Sequence, residues 1–120
     1  MEIRHLGMSF ASKALAFMSP TTAGVYDKII SNVLKENPDA ELAELFVSTN
    51  FEVSEAKKRE QATVYARWCR WCEVKAGVLN REGFMWSDWD GSDQPWRAID
   101  VERALFALGS NHKASFAEPK

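Results

Sequence analysis

Only two cysteines and two histidines occur in the 120 residues of this chain, and that scarcity excludes most metal chemistry. Cys69 and Cys72 stand one helical turn apart. A structural zinc site takes four ligands, usually as two such pairs. A second pair is missing, and His5 and His112 lie near opposite ends of the chain. Two neighbouring cysteines make no disulfide framework either, so a reducing cytoplasm is the expected compartment. A thioredoxin-like reading needs a strand before the Cys-x-x-Cys pair, and here the context is an amphipathic helix between tryptophans. Both cysteines are expected on a packing face. No metal and no cofactor is expected.

Long apolar runs are also lacking. Nothing approaches the ~18 residues of a membrane span, and the opening MEIRHLGMSF has no apolar core of signal-peptide length. No membrane partner is expected. Nor is there an excess of basic charge: the net charge is −2, whereas a generic nucleic-acid coat would be strongly basic. Residues 1–35 carry four basic and two acidic side chains, and residues 51–81 carry seven and four. Residues 36–50 hold four acids and no base, and residues 82–100 hold five acids against Arg97 alone. A local basic face for phosphate remains open, but no strong electrostatic footprint does. Asp88-x-Asp90-x-x-Asp93 lacks the glutamate and the periodicity of a calcium loop. Sustained period-two alternation and Asn-Gly hairpin signals are missing as well, which argues against β structure.

What the chain has is helical punctuation. Ser9 is positioned to cap a helix over about Phe10–Met18, whose Phe10, Ala14, Phe17 and Met18 share a face. Pro20 cannot continue it. A second helix is expected over Val25–Glu36 with Ile29, Ile30, Val33 and Leu34 turned inward, ended by Asn37-Pro38. Asp39 and Glu41 favour a short helix through about Phe46. Ser54 caps the longest helix, Ser54–Leu79. There Tyr65, Trp68, Cys69, Cys72, Ala76 and Leu79 form one stripe, with Val64, Trp71 and Val78 beside it. Residues 80–96, NREGFMWSDWDGSDQPW, read as a long irregular loop. Asp100 is expected to cap a last helix, Val101–Leu108, with Gly109 as its stop. The fold expected is all-α: one domain, residues 1–110, in which four to five helices surround the long central one. Residues 111–120 are expected as a flexible tail.

Three features invite chemistry. Lys57-Lys58-Arg59, with Arg67 and Arg70, offers cations to phosphate but reads more simply as a solvated face. Three of the five tryptophans, Trp86, Trp89 and Trp96, sit in the loop of residues 84–96. They are expected to fold back over the core, the alternative being an exposed platform for an apolar partner. The third feature is SFASKALAFMSPTTAGVYD, residues 9–27: a small-residue helix, a Pro20/Gly24 loop, and Asp27 at the mouth of the next helix. A carboxylate there caps a helix.

The order Leu6-Gly7, Ala11-Ser12 in a small-residue helix, Pro20/Gly24 and then Asp27 resembles the helix-hairpin-helix segment of base-excision DNA glycosylases. That is the superfamily of endonuclease III and 8-oxoguanine glycosylase. The resemblance covers about residues 5–35 and implies a glycosylase-like helical half-domain. It implies that the hairpin grips a DNA phosphate through Gly7, Ser9, Ser12 and Lys13. It implies that Asp27 acts on the glycosidic bond of an extruded base. Lys13 lies inside the second hairpin helix, too close to Asp27 for the Schiff-base lysine of the bifunctional enzymes. Any activity implied is therefore that of a monofunctional N-glycosylase-like hydrolase. The helices that precede the hairpin in that family are expected to be missing, so binding without catalysis is expected, unless a homodimer or a second chain restores the cleft. The alternative is a non-enzymatic helical protein-interaction module, alone or as a homodimer, using the Trp-rich loop 84–96.

Overall fold

The computed structural model describes residues 7–37, 39–50 and 53–117. Among them are five helices, α1 (Gly7–Met18), α2 (Lys28–Lys35), α3 (Ala40–Ala43), α4 (Glu55–Arg81) and α5 (Ala98–Ala117). Two short antiparallel strands, β1 (Trp86–Ser87) and β2 (Asp93–Gln94), join α4 to α5. The fold is all-α around one long helix.

The central helix forms for the reasons its sequence gives. The Ser54 hydroxyl accepts from the Lys57 N–H at 3.2 Å and occupies one of the free donors of the first turn. Val64, Trp68, Cys72 and Ala76 recur every four residues and are buried. Trp68 is fully enclosed, stacked on Trp71 at 5.9 Å and edge-on to Tyr26 at the same distance. Burying a side chain of this kind contributes roughly 2–3 kcal/mol. Lys57, Arg59, Arg67 and Arg70 lie on the exposed side, where Lys57 pairs with Glu60 and Arg70 with Glu73.

Around this helix, α5 packs against both α4 and α2, and α2 against α3. Ile30 and Leu34 of α2 are buried, with Ile29 and Val33 half-buried beside them. Tyr26 reaches further: its hydroxyl donates to the Leu45 carbonyl at 2.8 Å and accepts from the Val47 N–H at 2.9 Å. With the Ser31 hydroxyl, which donates to the Val47 carbonyl at 3.0 Å, it ties the segment after α3 to the core.

Several expectations need correction. The apolar face of α1 points outward: Phe17 is 86% exposed and Met18 78%, and Phe10 and Ala14 are also exposed. The inward side is Ser12 and Ala16, small residues one turn apart. The physical reason is that α1 abuts an extended backbone, which needs a hydroxyl and close approach rather than phenyl rings.

Gly109 does not stop α5, which runs to Ala117 and so through the residues expected as the start of a tail. A Cβ at Gly109 would collide with the Val33 side chain, so the glycine serves close packing of α5 on α2. Asp100 lies within the first turn of α5 and reaches back to the Arg97 N–H at 2.9 Å while holding its guanidinium at 3.0 Å. Pro20 and Thr21 supply the cap instead, their carbonyls accepting from the Ile99 and Ala98 N–H groups. The loop after α4 is partly ordered as a hairpin. Asn80 clamps Trp96 by accepting from its N–H at 2.7 Å and donating to its carbonyl at 2.9 Å.

Candidate functional site

Residues 24–27 run extended between α1, α4 and α5, and side chains satisfy their backbone where a sheet partner would otherwise do so. The Gly24 carbonyl accepts from the Tyr65 hydroxyl at 2.9 Å, and the Val25 carbonyl from the Trp68 indole N–H at 3.0 Å. The Val25 N–H donates to Glu102 at 3.3 Å, and the Tyr26 N–H to the Ser12 hydroxyl at 2.8 Å. Gly24 suits this close approach, since a Cβ there would crowd the Glu102 Cβ at 3.0 Å.

Glu102 is the chemically unusual member. It is 3% exposed, and loss of hydration pushes its carboxyl up to about 7, with the Asp27 charge adding to the rise. The Val25 N–H and Arg103 act in the opposite sense. Burial likewise pushes the Tyr65 hydroxyl and the Cys72 thiol up, so Cys72 is inert as a nucleophile. Cys69 and Cys72 are free thiols on the packing face. Among the described residues no group of three metal-ligating side chains occurs.

The residues singled out in the sequence are dispersed by the fold. Gly7 opens α1, and the part of the hairpin expected before it lies outside the described residues. Ser9 lies in the first turn, where its carbonyl accepts from Ser12. Ser12 is 1% exposed and committed to Tyr26. Lys13 faces solvent. Asp27 is half-buried and N-caps α2, accepting from the Ile30 N–H at 3.0 Å. Gly7, Ser9, Ser12 and Lys13 share α1, and Ser12 is joined to the residue before Asp27 through the Tyr26 backbone. From the sequence Glu102 is expected only as a carboxylate in the first turn of the last helix. Its signal is a carboxylate three and four residues before Leu105 and Phe106, hence on the apolar face of α5.

The second arrangement is on the surface. Between β1 and β2 the chain turns through Asp88-Trp89-Asp90-Gly91, closed by the Gly91 N–H to the Asp88 carbonyl at 2.9 Å. Gly91 takes φ 85°, the left-handed conformation that ends such a turn. The Asp88 carboxylate accepts from the Trp89 N–H at 2.8 Å, and Asp90 accepts from both the N–H and the hydroxyl of Ser92. These last two bonds hold the Asp90 carboxyl below its usual range. Trp96 is half-buried against the core as expected, whereas Trp86 is half-buried within the hairpin, donating to the Pro95 carbonyl at 3.0 Å. Trp89 is not: it is 93% exposed, and Phe84 and Met85 earlier in the same loop are also more than half exposed.

On α4 and α3 an open groove of about 470 Å³ has an apolar floor of Leu45, Ala66, Trp71 and Val74. Arg67 and Arg70 form one rim, Glu41 and Glu44 the other. No helix among the described residues is long and apolar enough to cross a membrane. Set against known proteins, the chain matches no family model, no curated protein and no solved structure.

Proposed function

We propose that this chain is a non-enzymatic helical interaction module that binds a protein partner through the hairpin of residues 84–96. The observation that carries this reading is Trp89, 93% exposed at the tip of a turn closed by five hydrogen bonds from main-chain and serine donors. A tryptophan offers some 150–250 Å² for burial and is the residue most enriched among binding hot spots. Fixing it on a tight turn lowers the ordering entropy lost on docking. Asp88, Asp90 and Asp93 surround it, which disfavours nucleic acid and selects a partner with an apolar pocket and basic rim.

The glycosylase-like reading, DNA binding through residues 7–13 with Asp27 at the glycosidic bond, has thinner support. Ser12 spends its hydroxyl inside the fold, and Lys13 is the one charged side chain of α1. Asp27 caps α2, a role that needs no chemistry.

The test is a photo-reactive benzoylphenylalanine in place of Trp89, irradiated in native cell extract. A discrete adduct, absent when the same group replaces exposed Lys75 and competed by wild type but not by Trp89→Ala, is the expected result. No adduct specific to position 89 overturns the reading.

A further inference from the structure

The groove between α3 and α4 and the hairpin tip are complementary to one another. The groove floor is apolar and stiff, because Trp71 lies flat on the buried Trp68 with 8° between the rings. Val74 on that floor is 46% exposed. Arg67 on the rim has no ion-pair partner among the described residues, while Arg70 pairs with the half-buried Glu73 at 3.0 Å and keeps its own side chain largely exposed. The hairpin carries the matching parts: one fully exposed indole and the carboxylates of Asp88 and Asp90 on either side of it. Resting on the reading of the hairpin as a docking element, we propose that its partner is a second copy of this chain, with Trp89 of one copy seated in the α3/α4 groove of the other. The indole covers Trp71 and Val74, and the two aspartates meet Arg67 and Arg70.

The opposite rim fixes the direction of approach. Glu41 and Glu44 repel the aspartates, so the hairpin enters with its carboxylates toward α4, and the reversed orientation is penalised. A groove of this size holds one aromatic side chain and its neighbours, so each contact is small and self-association is weak and concentration-dependent. Such a contact joins unlike surfaces. It closes into a pair when two copies exchange hairpins and grows into chains when they do not.

The experiment is sedimentation equilibrium on the purified full chain across a broad concentration range. Wild type is expected to gain mass with concentration. Trp89→Ala and Val74→Arg, both at exposed positions and checked for folding by circular dichroism, are each expected to weaken association ~30-fold or more, as loss of a hot spot does. An equimolar mixture of the two variants is expected to associate again, because Trp89 of the Val74→Arg chain finds the intact groove of the Trp89→Ala chain. A monomeric wild type, association indifferent to either substitution, or a mixture that stays monomeric overturns the proposal. A monomeric wild type whose position-89 adduct in extract is to a different protein overturns this inference and leaves the interaction module standing. If no adduct forms either, both readings fall.

Discussion

Ser12 holds both polar groups of the Tyr26 backbone: its hydroxyl accepts from the Tyr26 N–H at 2.8 Å and lies 3.2 Å from the Tyr26 carbonyl. Its single proton is shared between that carbonyl and the Ser9 carbonyl at 3.0 Å. A helix whose wider face is phenylalanine and methionine is thus fixed to the molecule by a hydroxyl. The small residues Ser12 and Ala16 let α1 approach closely, and the same hydroxyl completes the extended segment that leads to Asp27.

Ser12→Ala is therefore expected to lower stability by about 1–3 kcal/mol, the usual effect of leaving buried backbone groups without partners. Ser9→Ala is the control. Only the Ser9 carbonyl is used in the contact, so its loss should stay within about 0.5 kcal/mol. Thermal or urea unfolding followed by circular dichroism decides. Equal effects of the two substitutions would remove the anchoring role from Ser12.

Glu102 makes stability depend on pH in a direction opposite to that of most carboxylates. Its carboxyl titrates near 7 in the folded chain against an ordinary 4.5. Between those values the folded state binds the proton and the unfolded state does not. Stability is thus greatest below about pH 4.5 as far as this group is concerned, falls as pH rises, and levels off above about 7, a change of about 3 kcal/mol. Glu102→Gln keeps an acceptor for the Val25 N–H and cannot ionise. It is expected to flatten the curve across that window and to be more stable than wild type at pH 8. Parallel curves for the two proteins would refute the assignment.

Much of the architecture was legible where one physical rule acts alone. Trp68, Cys72 and Ala76 of the expected stripe, the Ser54 cap and the Asp27 cap each follow from local spacing, and each is present. What was illegible depends on a neighbour far along the chain. Gly109 reads as a stop until Val33 is known to press against it. Asp100 reads as a cap until the carbonyls of Pro20 and Thr21 are seen to do that work. The face of α1 was misassigned because hydrophobicity ranks phenylalanine above serine, whereas the backbone of residues 24–26 needs hydrogen-bond partners more than it needs apolar area. At the surface, aromatic content alone did not separate Trp96, which packs on the core, and the half-buried Trp86 from Trp89, which is exposed. The turn made by Asp88 and Gly91 does that.

The orientation of α1 has a direct test. Phe17 is 86% exposed and Ala16 fully buried, so the pair should respond in reverse of their hydrophobicity. Phe17→Ala is expected to change stability by less than about 0.5 kcal/mol. Ala16→Leu adds volume to a closed site and is expected to destabilise by roughly 1–3 kcal/mol. An inward-facing phenylalanine would instead lose about 3–5 kcal/mol on truncation, which urea unfolding separates easily.

Asp27 is where capping and catalysis can be told apart, because asparagine satisfies one role and not the other. Asparagine is as good an N-cap as aspartate, so Asp27→Asn should keep the bond from the Ile30 N–H and stay within about 0.5 kcal/mol of wild type. Asp27→Ala loses that bond and should cost about 1 kcal/mol. Removing the charge also acts on Glu102, whose carboxyl the Asp27 charge helps to raise. The pH midpoint of the Glu102 transition should therefore move downward in both variants. If Asp27 serves the fold alone, wild type and Asp27→Asn will both fail to bind an abasic-site duplex at low salt, and both will fail to release a base. Binding by wild type that Gly7→Pro abolishes, or base release by wild type that Asp27→Asn abolishes with folding intact, would return the chain to the glycosylase-like reading and displace the interaction module.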